Sequence, residues 1–85
     1  MLIEIMKTHT CPYCPMTTKI VNKVASEFPG KVNVREIYVD EDERERNRAI
    51  TLGIMAVPTI LIEGRVWKVG VPVENELREE IMQSL

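Results

Sequence analysis

Both cysteines of this chain, Cys11 and Cys14, fall in the single tetrapeptide Cys11-Pro12-Tyr13-Cys14, so no intrachain disulfide can join distant segments. Its 85 residues must be held by one apolar core, at a length where folding removes only about 60–65% of the unfolded chain's surface from water. Apolar residues are 45% of the chain and charged residues 28%, the balance of a soluble globular protein. The net charge of −2 mixes both signs, without the basic stripe of a nucleic-acid binder. Met1–Lys7 carries Glu4 inside its apolar run, which is not a signal-peptide pattern, and nothing approaches the ~20 apolar residues of a membrane span. The expected location is cytoplasmic. In a reducing compartment, cysteines three apart ask for a chemical explanation. As a staple the pair would do little, because so short a closed loop barely constrains the unfolded chain.

Apolar spacing orders the elements. Leu2–Met6 is an apolar run of strand length, ending at Lys7. Met16, Ile20, Val21, Val24, Ala25 and Phe28 form a helical stripe that stops at Pro29-Gly30. Val32–Val39 is rich in β-formers, and its apolar residues change phase between Val34 and Ile37. Both faces are therefore predicted to be partly covered, as in an inner strand. Asp40 and Glu43 have capping-box spacing, and acids precede Arg44, Arg46 and Arg48 as the helix dipole favours. The charged run Glu41–Arg46 reads as a solvated face, with Ala49, Ile50 and Leu52 as the core side and Gly53 as the stop. Thr59–Glu63 and Arg65–Gly70 read as antiparallel strands about Gly64. Leu77, Ile81 and Leu85 mark a last helix. The order is β-α-β-α-β-β-α, one α/β domain over residues 1–85. Two βαβ crossovers are expected to pair in parallel and the hairpin to add an antiparallel edge. The result is a four-stranded mixed sheet with helices on both faces.

Cys11 stands where a strand ends and a helix begins. The unpaired N–H groups and the dipole of a helix N-terminus stabilise a thiolate there, below the free-cysteine pKa of about 8.5. Pro12 suits the first helical position. With Cys11 as the N-cap, however, Pro15 would delete the first intrahelical bond, so a distorted or shifted first turn is predicted. Cys14, three residues on, shares the helix face and can close a disulfide with Cys11. An outward first sulfur and a deeper second one suit two-step exchange, in which Cys11 attacks and Cys14 resolves. Metal binding is the competing chemistry. His9, Cys11 and Cys14 supply three ligands within six residues, but a closed zinc site needs four, and no second Cys/His pair exists.

Cys11-Pro12-Tyr13-Cys14 between a strand and a helix, with Val57-Pro58-Thr59 entering a later strand, resembles the glutaredoxin/thioredoxin superfamily. The element order resembles the thioredoxin fold in its short, glutaredoxin-like form over essentially the whole chain. The resemblance implies that Cys11 is the nucleophile and Cys14 the resolving cysteine. It also implies that Pro58 is a cis-proline facing the site and that the Val57 backbone pairs with an extended substrate. Pro12, Tyr13 and Thr59 complete the implied substrate-binding set. Cys-Pro-Tyr-Cys is typical of dithiol glutaredoxins, whose tyrosine lines the glutathione site. Two glutathione grips of that family are absent. Thr8 occupies the position of its lysine, with Lys7 one residue earlier, and Gly70-Val71-Pro72-Val73 replaces its Gly-Gly-x-Asp. Ala56-Val57-Pro58-Thr59 is closer to thioredoxins, and the combination resembles the small archaeal glutaredoxin-like thioredoxins. Ile5 departs from thioredoxins, which commonly bury an acid there as proton acceptor for the resolving thiol. Water, substrate or another group must then serve; Glu4 and Lys7 are adjacent to that position, and His9 is a candidate base or an exposed residue tuning Cys11.

Reduction of protein disulfides by the Cys11/Cys14 pair is thus the expected function, with no cofactor beyond that pair. Electrons are expected from a reductase or from glutathione, and the protein is expected to be a monomer that binds neither nucleic acid nor membrane. The alternatives are glutaredoxin chemistry on glutathione mixed disulfides, and a metal-binding or dimerising module built on His9, Cys11 and Cys14. Met16 and Met55 read as packing residues that could also line a peptide groove, and Trp67 as structural.

Overall fold

Five consecutive buried residues, Ile3–Lys7, make β1 (Leu2–Lys7) an inner strand of the sheet in the computed structural model. It is followed by α1 (Cys14–Ala25), β2 (Asn33–Tyr38), α2 (Glu43–Thr51), β3 (Thr59–Ile62), β4 (Arg65–Val69) and α3 (Glu74–Ser84). The four strands lie in the order β2-β1-β3-β4. Side-chain alternation along β1 divides the core between the two faces. Ile3 and Ile5 join Val21 and Val24 of α1, Ile60 and Ile62 of β3, and Leu77 and Ile81 of α3. Met6 joins Ile37, Ala49 and Leu61 on the face that α2 covers. Each fully buried isoleucine or leucine contributes about 1.5–3 kcal/mol relative to exposure.

The element order matches the expectation, but one of the two parallel crossovers does not form. β1 pairs with β2 in parallel, whereas β3 runs antiparallel to β1, with Met6 opposite Thr59. The reason is where α2 sits. Arg46, Ala49 and Ile50 of α2 stay beside Thr8 and Val39, at the C-terminal ends of β1 and β2. The chain therefore re-enters the sheet at the edge from which it left.

β2 is an edge strand, not an inner one. The phase change nevertheless has the expected consequence, since Val34 packs on the α1/α3 cluster and Ile37 on the α2 cluster. The cap of α2 is Asp42, which accepts from the N–H groups of Arg44 at 3.0 Å and Glu45 at 3.3 Å. Asp40, the predicted cap, instead accepts from the His9 backbone N–H at 3.0 Å. Of the predicted α2 core side only Ala49 is buried; Ile50 and Leu52 are exposed, as is Leu85 after α3. The β3–β4 hairpin forms as expected. Glu63 and Gly64 both take positive φ, 51° and 80°, as a two-residue turn between right-twisted strands requires.

Candidate active site

The first turn of α1 is shifted as Pro15 demands. Had the helix begun at Pro12, the missing Pro15 N–H would have left its first bond unmade. The helix starts instead at Cys14, with Tyr13 as N-cap and no side-chain cap bond. Pro15 then occupies the second helical position, where no N–H is needed. The Thr17 N–H and hydroxyl both donate to the Tyr13 carbonyl, at 3.1 and 3.0 Å. Cys11 and Pro12 lie in the turn ahead of the helix rather than at its N-cap and first position. The Cys11 N–H donates to Thr8 O at 3.3 Å and the Cys14 N–H to Cys11 O at 3.4 Å.

Cys11 and Cys14 are joined as a disulfide, their Cα atoms 5.4 Å apart. Cys14 is 1% exposed, whereas Cys11 is half-buried and Pro12 and Tyr13 are exposed. Cys11 is thus the more accessible of the two residues.

The Val57–Pro58 peptide bond is cis. Because Thr59 opens β3 opposite Met6, Val57 and Pro58 sit at the same sheet edge as the cysteine turn. Two ties hold that segment: the Thr59 hydroxyl donates to Ala56 O at 2.7 Å, and the Gly70 N–H donates to Pro58 O at 2.8 Å. Gly70 takes φ of 100°, a conformation suited to glycine.

Two cavities flank Thr8, which lines both. One is an apolar groove of about 290 Å³ bordered by Val39, Ile50, Ile54, Met55 and Val57, with Arg46 at its margin. Met55 is 97% exposed and Met16 more than half exposed, so neither is the packing residue its sequence context predicted. Trp67 is half-buried against the main core, in keeping with a structural role.

The second cavity, about 350 Å³, is lined by both cysteines together with Lys7, His9, Thr18, Glu36 and Tyr38. Lys7, at the end of β1, is almost wholly buried. Its ammonium donates to Glu36 Oε1 at 2.6 Å and to the Thr18 hydroxyl at 2.8 Å, and lies 5.2 Å from the centre of the Tyr38 ring. His9 stacks on Tyr38 with centroids 4.2 Å apart. Its Nδ1 meets Asp40 at 3.1 Å and its Nε2 meets Glu41 at 3.4 Å. Hydrogen bonds from the His9 backbone N–H, then from its ring, hold the Asp40 carboxyl below its usual range. No three His, Cys, Asp or Glu side chains are placed to hold a metal ion. Sequence reasoning named Lys7 and His9 but not Glu36, Thr18 or Tyr38. Their only early signal was a lysine ending an otherwise apolar strand.

A reversible dithiol at the tip of a helix, facing a cis-proline segment across the end of a mixed sheet, defines a thiol–disulfide oxidoreductase with the thioredoxin fold. The family model described as a thioredoxin domain matches residues 1–82, and the chain belongs to that family. It is 44% identical over 83 residues to a probable thioredoxin of Methanothermobacter thermautotrophicus, covering 98% of this chain and 94% of that one. It is 41% identical over 83 residues to a thioredoxin of Methanocaldococcus jannaschii, with the same coverage of each. Among solved structures, a thioredoxin-like protein from Clostridium perfringens superposes with a TM-score of 0.80 at 28% identity, covering 96% of this chain and 68% of that one. The chemistry is thioredoxin-like disulfide exchange, and these relatives do not favour the glutaredoxin alternative.

Proposed function

We propose that the protein reduces disulfides of other proteins by attack of Cys11 and resolution by Cys14. The observation that carries this reading is the unequal burial of the two sulfurs at one helix tip. The Cys11 thiolate attacks a substrate disulfide, forming a mixed disulfide and releasing one substrate thiol. Cys14 then attacks Cys11, closing the internal disulfide and releasing the second thiol. An extended substrate segment pairs with the Val57 backbone beside Pro58, Pro12, Tyr13 and Thr59 complete its contacts, and its apolar side chains enter the groove of Ile50 and Met55. The protein acts as a monomer, with no cofactor beyond the dithiol. A reductase returns the electrons, in the cytoplasm, where thiols are kept reduced.

Cys14→Ser tests the roles directly. It should accumulate mixed disulfides through Cys11 when offered a protein disulfide, and Cys11→Ser should accumulate none. Trapping through Cys14 in the second variant would reverse the assignment.

A further inference from the structure

Cys14 must lose a proton before it can attack, yet the nearby strand position of Ile5 holds only a core side chain. The ionisable groups that share its cavity come from three sources: Lys7 on β1, His9 in the loop, and Glu36 and Tyr38 on β2; α1 contributes the Thr18 hydroxyl. His9 lines the same cavity, but both its nitrogens are engaged by Asp40 and Glu41 and its face is covered by Tyr38. Lys7 brings no acceptor while it carries its proton. Glu36 remains. We propose that the Glu36 carboxylate accepts the Cys14 proton during resolution, and that Lys7 and Thr18 position it. This rests on the Cys11-then-Cys14 sequence of the preceding section.

A buried lysine paired with a glutamate could simply fasten β1 to β2. Its surroundings argue for more. Long lysine stems ordinarily carry their charge to water, but the Lys7 side chain is 7% exposed and keeps Glu36 as its only carboxylate partner. Burial of that charge is costly unless the partner is fixed. The pair opens not into the core but into the cavity that holds both sulfurs. Only Oε1 of Glu36 is occupied by Lys7, and the carboxylate is 43% exposed, so it can exchange protons with solvent. Lys7, Thr8, Thr18 and Glu36 bring polar groups to the cavity, and its volume of about 350 Å³ is large enough for water to carry a proton across it.

In the mixed disulfide, Cys11 Sγ is bonded to a substrate sulfur. The Cys14 thiol passes its proton through water to Glu36, and its thiolate forms the Cys11–Cys14 bond. The substrate sulfur leaves with the electron pair of the broken bond and takes a proton from Glu36 or solvent. Two electrons have moved from the protein dithiol to the substrate disulfide, and Glu36 is regenerated.

Stopped-flow reduction of a protein disulfide between pH 5 and 9, with acid quenching and mass spectrometry of the mixed disulfide, tests the assignment. Glu36→Gln, nearly isosteric on an edge strand, should slow resolution about a hundred-fold at pH 7. It should leave mixed-disulfide formation unchanged. Glu36→Asp should recover most of the rate, and Lys7→Met should slow resolution less than Glu36→Gln. A wild-type rate of resolution in Glu36→Gln would overturn the proposal. So would a loss that Glu36→Asp does not relieve, or one shared equally by the attack step. If wild-type protein forms no mixed disulfide at all, the two-step reading itself fails and the proposal falls with it.

Discussion

Met6 and Lys7 are neighbours in sequence, and strand alternation sends them to opposite sides of the sheet. Met6 lines the apolar groove and Lys7 the cavity of the two cysteines. The dithiol lies in the second cavity, with Thr8 separating it from a surface suited to apolar peptide. Met55 is the most exposed apolar residue on that surface. Covering about half of such a side chain is worth roughly 1 kcal/mol. Met55→Ser should accordingly lower kcat/KM for a protein disulfide about five-fold, leave a small-molecule disulfide unaffected, and change stability by less than about 0.5 kcal/mol. Equal losses on both substrates would remove Met55 from the groove. The two cysteines were legible from spacing alone, because a helix tip is a local feature. Glu36 and Thr18 were not. They reach Lys7 only through the β1–β2 register and the seating of α1, which no local pattern encodes.

At the scale of elements, α2 shows how far local signals carry. Its existence, its acidic start and its stop at Gly53 were readable; its cap and direction were not. Asp40 and Asp42 are both competent caps, and the choice was made by His9, a long-range partner. The antiparallel entry of β3 followed from the seating of α2 at the C-terminal ends of β1 and β2, which the order of elements does not disclose. α2 is held to the sheet by Glu4, a 1% exposed acid on β1. Arg48 donates to it at 2.7 and 3.3 Å, and Arg35 lies 3.7 Å away. That bond, first, and the Glu4 charge raise the Arg48 pKa above its usual value. Arg48→Met leaves a buried carboxylate with only the weaker Arg35 contact and should cost about 2–4 kcal/mol. Glu4→Met combined with Arg48→Met should recover most of the loss, since a packed apolar pair can replace a buried ion pair. Chemical denaturation of both variants decides this. A double variant as unstable as the single one would refute the account.

Across the whole molecule, α1 and α3 are fastened on one face by a charged cluster at their exposed ends. Arg78 grips Glu27 with two bonds of 2.7 Å and Glu74 with one of 2.9 Å, while Lys23 donates to Glu74 at 3.2 Å. The Arg78 bond, ahead of its charge, lowers the Glu27 pKa; bonds from Lys23 and then Arg78 lower that of Glu74. Depressed carboxylates stabilise the fold fully above their unfolded pKa, about 4.3 for glutamate, and lose that effect as pH falls through the lower folded value. Arg78→Met should therefore lower the melting temperature at pH 7, where thermal scans compare it with wild type. The difference should shrink below about pH 4 and in molar salt. A gap independent of pH would show that Arg78 acts through packing instead.

Taken together, the features of the site put a glutaredoxin-like cysteine motif to thioredoxin work. Thr8 and Gly70-Val71-Pro72-Val73 lack the glutathione grips, while the groove of Ile50 and Met55 offers a surface for peptide. Representative potentials of the two classes, near −270 mV against −200 to −230 mV, lie about 2–3 kcal/mol apart for two electrons. The decisive measurement is turnover of one protein disulfide in parallel, driven by a thioredoxin reductase with its reductant or by glutathione with glutathione reductase. The account predicts efficient turnover through the thioredoxin reductase and little through glutathione. Efficient turnover through glutathione alone would contradict it.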